Sequence, residues 1–532
     1  MAGEFQTHRP LTAACAGLTL LQPLLYKRYV MLRFPAVSLF VLGLSAGAAS
    51  ADLSAEDVWQ DWQALLDDLG YSVSGAPERA GNGLVIPDFG LSQSLPDAGG
   101  RVDMRLGRIA LRERGDGTVE VIYPETMPMA LAVTPEKGDA VTAIVTLRHE
   151  GLGITASGTP DRVVYTYAAD DLRVDLGEVT IGGAPVDGAQ GMLRLGAVTG
   201  RSEGVSEDGA RRVTQEISAG PVGYSFAFDD PENGVAISYE GAAESLDYDG
   251  SLRLPEGAGL DDLPAALRAG LRIANRMTFG PGESRFSGTE DGIPSRGTSR
   301  SAGTVIEMTT SEEGLGLGFR SDDLEARMEG GGLPFPIGYA AERAAGSLFL
   351  PVARDDAAQP FALSLDLAGL SLAEEVWAML DPAAALPRDP ASLRVDLSGT
   401  GKLMVDLFDE AAMAALETGD RAAFEPERLV LDSLLLDLAG ATLTGAGALD
   451  IEPGDGTGMP AAEGAVDLRL EGGNGLLDRL VAMGVLPKDQ AMTVRMMAAM
   501  FSVPVADEPD TLTSRVEFGK DGSIAVNGQR MR

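Results

Sequence analysis

Residues 392–407 read SLRVDLSGTGKLMVDL. Leu393, Val395 and Leu397 alternate with Arg394 and Asp396, and Leu403, Val405 and Leu407 follow with the same period. Alternation of period two puts apolar side chains on one face of a strand and polar ones on the other. Gly399-Thr400-Gly401 sits between the two runs, so the stretch predicts a hairpin with paired apolar stripes.

The same pattern recurs through the chain. In RVDMRLGRIALRERGDGTVEVIYP (101–124), Val102, Met104, Leu106, Ile109 and Leu111 precede a Gly-Asp-Gly turn. AVTAIVTLRHEG (140–151), DRVVYTYAADDLRVDLGEVTI (161–181), GLGLGFRS (314–321), PFALSLDLAGL (360–370) and RLVLDSLLLDLAGATLTGAGALDIEP (428–453) read alike. One apolar and one solvated face fit antiparallel sheet. The expected class is α+β and β-dominated: elongated antiparallel sheets built from repeated Gly-linked strands, with short covering helices. LRVDLGEVTIGG at 172 and LRVDLSGTGKLMVDL at 393 share one plan, but the spacing is too irregular for a solenoid.

Helices are few. Ser54 is an N-cap with Asp57 three residues on. Val58, Trp59, Trp62, Leu65, Leu66 and Leu69 then form one helical face that ends at Gly70. The two tryptophans mark either a ligand surface or packing on a sheet. Further helices are expected at 371–380, where Val376, Trp377 and Leu380 face inward, in DEAAMAALETG (409–419), at 475–483 and over 490–501. A closing hairpin sets Leu512, Ser514, Val516 and Phe518 against Ile524 and Val526. The expected domains are 52–260, an N-terminal helix plus a β-rich domain; 261–303, a connector and a flexible Gly/Ser-rich loop or weak edge strands; and 304–532, a β-rich domain with short helices.

Residues 1–51 are read as an upstream extension plus a signal peptide. From Met31 the chain runs MLRFPAVSLFVLGLSAGAASA: a basic start at Arg33, an apolar core from Phe34 to Leu44, and small residues at Ala49 and Ala51. That core is too short to span a bilayer. Residues 1–30 are open to three readings: an extension from a misplaced start, the basic region of one long signal, or an uncleaved anchor. The first two give cleavage after Ala51 and a periplasmic chain that starts at Asp52. Cys15 is the single cysteine and lies in this leader, so the remainder has neither a disulfide nor a cysteine zinc site.

The net charge is −37. It becomes more negative once the leader, with Arg9, Lys27, Arg28 and Arg33 against Glu4, is removed. Such a charge repels phosphate backbones and excludes nucleic acid as a partner. Acidic residues are spread out, and no stretch follows the EF-hand loop.

Motifs for catalysis are missing from the sequence: no HExxH, no phosphate loop, and no GxSxG in a strand-to-helix setting. His149 is the one histidine after the leader and reads as surface or structural. The carboxylate pairs Asp67–Asp68, Asp170–Asp171, Asp229–Asp230 and Asp322–Asp323 meet the residue requirement of a glycosidase but read as solvated faces. Met492, Met496, Met497 and Met500 suit either core packing at helical spacing or a soft-metal or apolar-ligand site. No catalytic, cofactor-binding or metal residue is assigned, and no cofactor is expected.

SAEDVWQDWQALLDDLGYSVSG (54–75), NGLLDRLVAMGVLP (474–487) and DTLTSRVEFGKDGSIAVNG (510–528) resemble the DUF2125 family, exported alphaproteobacterial proteins of unknown function. SLLLDLAGATLTGAGALDIE (433–452) faintly resembles the Gly-punctuated strands of AsmA-type envelope proteins. The first resemblance implies export and no known activity. The second implies outer-membrane assembly or lipid movement.

Taken together, these features imply a periplasmic envelope protein with a structural or binding role. A carrier of lipid or another apolar ligand in a β-sheet groove is the alternative, and a carboxylate-based hydrolase is the second. The expected partners are an apolar ligand or lipid, or another envelope protein, with no stable transmembrane span in the mature chain. If helices 371–380 and 475–483 cover the apolar strand face, the groove is a plain core instead. N-terminal sequencing of the exported protein should give a start at Asp52; a start more than a few residues away contradicts the leader reading.

Overall fold

The computed structural model describes residues 52–94, 99–186, 188–230, 234–258, 262–290, 292–409, 423–452 and 461–531. All belong to one compact unit, Leu42–Arg532. The leader with its cleavage site, and all but Asp409 of the helix expected over 409–419, lie outside the described residues.

Strands hold 64% and helices 11% of the described residues, and the sheets are antiparallel, as the alternation predicts. The helices are α1 (Ala55–Asp68), α2 (Leu263–Arg268), α3 (Glu374–Leu380), α4 (Gly473–Ala482) and α5 (Lys488–Phe501).

The strands form a single sheet. Arg162–Ile181 pairs along its length with Gln190–Glu207. Two lanes of shorter strands then run side by side. One is Ala210–Ala219, Leu246–Pro255, Arg272–Phe279 and Gly303–Ser311. The other is Val222–Asp230, Val235–Ala243, Gly282–Glu290 and Ile293–Ser301. Gly314–Gly330 pairs with the last strand of both lanes and reunites them. A meander follows: Ile337–Leu350, Gln359–Leu372, Ala391–Leu403, Phe424–Leu438, Ala441–Glu452, Ala461–Glu471 and Thr511–Phe518. The closing hairpin is as expected, with Val516 opposite Val526 and Phe518 opposite Ile524.

Two sequence expectations change. Residues 261–303 are not a flexible loop: Leu263–Arg268 is a short helix, and 272–279, 282–290 and 293–301 are strands, paired on both sides rather than at an edge. Their polar composition misleads because backbone pairing on both edges holds them, not side-chain burial. Residues 392–407 are not a hairpin either. Ala391–Leu403 is one strand, paired on one side with Gln359–Leu372 and on the other with Phe424–Leu438. Its glycines serve space rather than a turn. A β-carbon at Gly399 would strike the Phe361 ring, and one at Gly401 the Phe424 ring. The two rings meet edge to face at 5.3 Å, so the glycines seat an aromatic pair from the flanking strands.

Mid-strand irregularities keep apolar residues together. Ile86 pairs with Ile109, but Leu91 pairs with Met104 beyond a register shift in both strands at Phe89 and Gly107. Gly107 adopts a left-handed backbone at φ +83°. Gly369 does the same at φ +66° where the register shifts between Leu367 and Leu370. An extra residue resets the alternation and bends the strand.

The core sits where the sheet wraps α1. Ser54 and Asp57 form the predicted capping box. Trp59 and Trp62 are buried and pack on Phe89, with ring centroids at 5.9 and 6.4 Å. The carbonyl of Leu69 accepts from Gln93 Nε2 at 3.4 Å, while Leu65 packs with Leu254. Seven strand-to-strand steps separate the strands of Gln93 and Leu254, about 34 Å if flat. A helix is only about 10–12 Å across, so the sheet curls around α1 with its apolar face inward.

Gly399→Val should force the Phe361 ring and the neighbouring Arg428 carbonyl aside and cost about 1–3 kcal/mol. Urea unfolding would measure it; an unchanged midpoint would contradict the seating role.

Candidate binding face

Directly paired residues share a face, so register traces each row of side chains across the sheet. One row runs Leu317, Leu348, Leu363, Leu397, Leu431, Gly447, Val466, Val516, Val526. The next holds Phe319, Gly346, Leu365, Val395, Leu434, Gly445 and Leu468. A third holds Leu367, Leu393, Leu436, Leu443, Leu470 and Leu512. None of these positions is charged.

The opposite face is polar. Asp366 lies between Arg343 and Arg394, at 3.5 Å from each. Asp396 accepts from Ser364 and Ser433 on the two flanking strands, both at 2.6 Å, and these bonds hold its carboxyl below the usual range. Two shallow cavities of about 550 and 570 Å³ are lined largely by this polar face, through residues such as Arg276 and Glu307 in one and Arg285 and Arg300 in the other.

The apolar face has two regimes. Near α1 it is closed: Leu84, Ile86, Ile109, Leu111, Val119 and Ile154 are at most 5% exposed. Beyond Gly303–Ser311 it is open. Leu317, Phe319, Leu363 and Leu365 are 42%, 47%, 43% and 40% exposed. The helices expected to cover it touch its strands, α3 at Ile337–Leu350 and α4 at Ala441–Glu452, but leave these four side chains uncovered. In α3 only Val376 is buried while Met379 and Leu380 are exposed, and α4 buries none of its residues. Leu393, Val395 and Leu397 line the face, Leu403 at the strand end is buried, and Val405 and Leu407 follow the strand end.

A buried polar anchor fixes α1. Asp61 pairs with Arg211, the side chains being 6% and 8% exposed, and Tyr165 donates to Asp61 Oδ2 at 2.6 Å. Burial, and then the Asp61 carboxylate, push the Tyr165 hydroxyl well above its ordinary value. Each partner comes from a different element: α1, strand 162–181 and strand 210–219.

The other candidates scatter. His149 lies opposite Leu172, and its ring nitrogens are buried without hydrogen-bond partners among the described residues. Asp171 is held by Arg194 at 2.6 Å, and Asp322 by Arg320 at 2.9 Å. Burial raises Asp68. Asp229 and Asp230 end strand 222–230. Among the described residues no group of three or more His, Cys, Asp or Glu is arranged to hold a metal. Met492, Met496, Met497 and Met500 of α5 are exposed rather than core. Sequence reasoning missed the anchor because Asp61 and Arg211 lie 150 residues apart. Among the described residues no helix is long and apolar enough to cross a membrane.

Comparison with known proteins finds no matching family, no matching curated protein and no matching solved structure.

Asp61→Ala strands a buried guanidinium and should cost about 3–5 kcal/mol, read by denaturant unfolding; a loss below 1 kcal/mol would contradict the anchoring role. Tyr165 has a raised folded pKa, so its contribution is complete below its ordinary value of 10.0 and is lost as pH rises above it. Tyr165→Phe should therefore flatten the alkaline fall in stability; an equally steep fall would contradict this linkage.

Proposed function

We propose that this chain is an exported envelope protein, without catalytic activity, that holds an acyl chain or similar apolar ligand along the open part of its sheet. The observation that carries this reading is the uncharged face beyond Gly303–Ser311, on which the neighbouring Leu317, Phe319, Leu363 and Leu365 are uncovered. A cluster of large exposed apolar side chains marks an interaction site.

The dimensions support a chain-like ligand. Eight strand-to-strand steps separate Gly303–Ser311 from Thr511–Phe518, about 38 Å at the usual spacing. One leaflet's hydrocarbon is about 15 Å deep, so the face exceeds a single acyl chain. Each methylene taken from water contributes about 0.8 kcal/mol. The Arg partners of Asp171 and Asp322 favour a structural reading of those carboxylates over a hydrolytic one. The periplasmic location and membership of DUF2125 belong to this proposal and rest on the leader and the quoted segments.

Native mass spectrometry of protein purified from its own periplasm should find an acyl-bearing adduct that organic extraction removes. Leu363→Asp with Leu365→Asp places two charges on the open face and should lower occupancy about tenfold or more. Protein that is apo throughout, or an adduct unaffected by the double variant, would overturn the reading.

A further inference from the structure

Followed toward α1, the open rows change character. The row through Leu317 continues to Met308, Asn275, Gly250, Gln215, Ser202 and then Tyr165. The row through Phe319 continues to Ile306, Met277, Tyr248, Ile217, Gly200 and Tyr167. These rows therefore carry a short belt of neutral polar side chains, Asn275, Tyr248, Gln215 and Ser202, set among Ile306, Met277 and Ile217, before they reach the section that α1 fills. Tyr248 donates to Asn275 Oδ1 at 2.7 Å, which fixes the amide and leaves its two N–H donors to offer. The Tyr167 hydroxyl is buried, with the Gln215 side chain as its polar neighbour.

We infer that this belt is the seat for the polar end of the bound lipid, and that it selects a neutral, hydroxyl-bearing head group over an anionic one. This rests on the acyl-binding reading. Asn275, Gln215 and Tyr248 are half-buried and offer amide and hydroxyl donors and acceptors, which match glycerol-type hydroxyls. A carboxylate or phosphate is held most strongly by a cation. Arg211 on this face is already taken by Asp61. The tail then runs away from α1, over Met308, Leu317, Leu348 and Leu363.

The test uses delipidated mature protein and three probes with the same chain: monooleoylglycerol, oleate and lyso-oleoyl phosphatidic acid. Monooleoylglycerol should bind on the order of tenfold more tightly than either anion, because the seat's paired groups discriminate by what they leave unsatisfied. Asn275→Leu should bring that ratio toward one while chain binding persists. Tyr248→Phe, which changes volume least, should lower it as well and guards against misfolding of the first variant. Equal binding of all three probes, a preference for an anion, or an unchanged ratio in both variants overturns the seat and leaves the acyl reading standing. No binding of any probe overturns the acyl reading itself.

Discussion

Backbone register is the constraint on which the rest depends. Every strand from Gly83–Ser94 to Ile524–Val526 is locked to its neighbours by antiparallel ladders. A slip of one residue would turn a whole row of leucines to the wrong face. The chain holds this phase across bent strands by inserting single extra residues, as at Gly107 and Gly369. The apolar side chains remain on one side and the Arg–Asp and Ser–Asp contacts on the other. Short edge strands, Ser72–Ser74 and Glu78–Arg79 at one margin and Gln529–Arg530 at the other, limit the unpaired backbone there.

The same face serves two purposes along its length. Around α1 it is a core: the sheet curls inward, the tryptophans fill the space, and the Asp61–Tyr165–Arg211 contact fixes the helix. A buried ion pair adds little net stability by itself, but losing one partner is costly, so it favours one seat for α1 over others. At one margin α2 continues this core, with Leu267 and Leu271 packed among Leu65, Leu254 and Val352. Past Gly303–Ser311 no described helix takes the place of α1. Leu317, Leu363 and Leu365 there stay about two-fifths exposed, and burying them under a ligand would release free energy that folding alone leaves unused.

Much of this was legible in the sequence. Period-two alternation identified the strands, and the capping box placed α1. What misled were the glycines and the polar strands. Gly399 and Gly401 look like a turn, yet their lack of a β-carbon seats Phe361 and Phe424. Residues 282–301 carry so little apolar character that they read as a loop or at most as edge strands, yet they sit between paired neighbours. The spacing of three between Leu106 and Ile109 was a visible mark of a bulge. The anchor and the polar belt had no local signal, because their members meet only through the ladder. The methionines of α5 have core-like spacing, but small residues, with Ala491 buried, face inward instead.

The most direct measurement is photocrosslinking in cells of the source organism, with a benzophenone amino acid at single positions of strand Gln359–Leu372. Leu363 and Leu365 lie on the open apolar face; Ser364 and Asp366 lie on the polar one. The account predicts acyl-lipid adducts at 363 and 365 and none at 364 and 366. Adducts at all four positions, or at none, would contradict it.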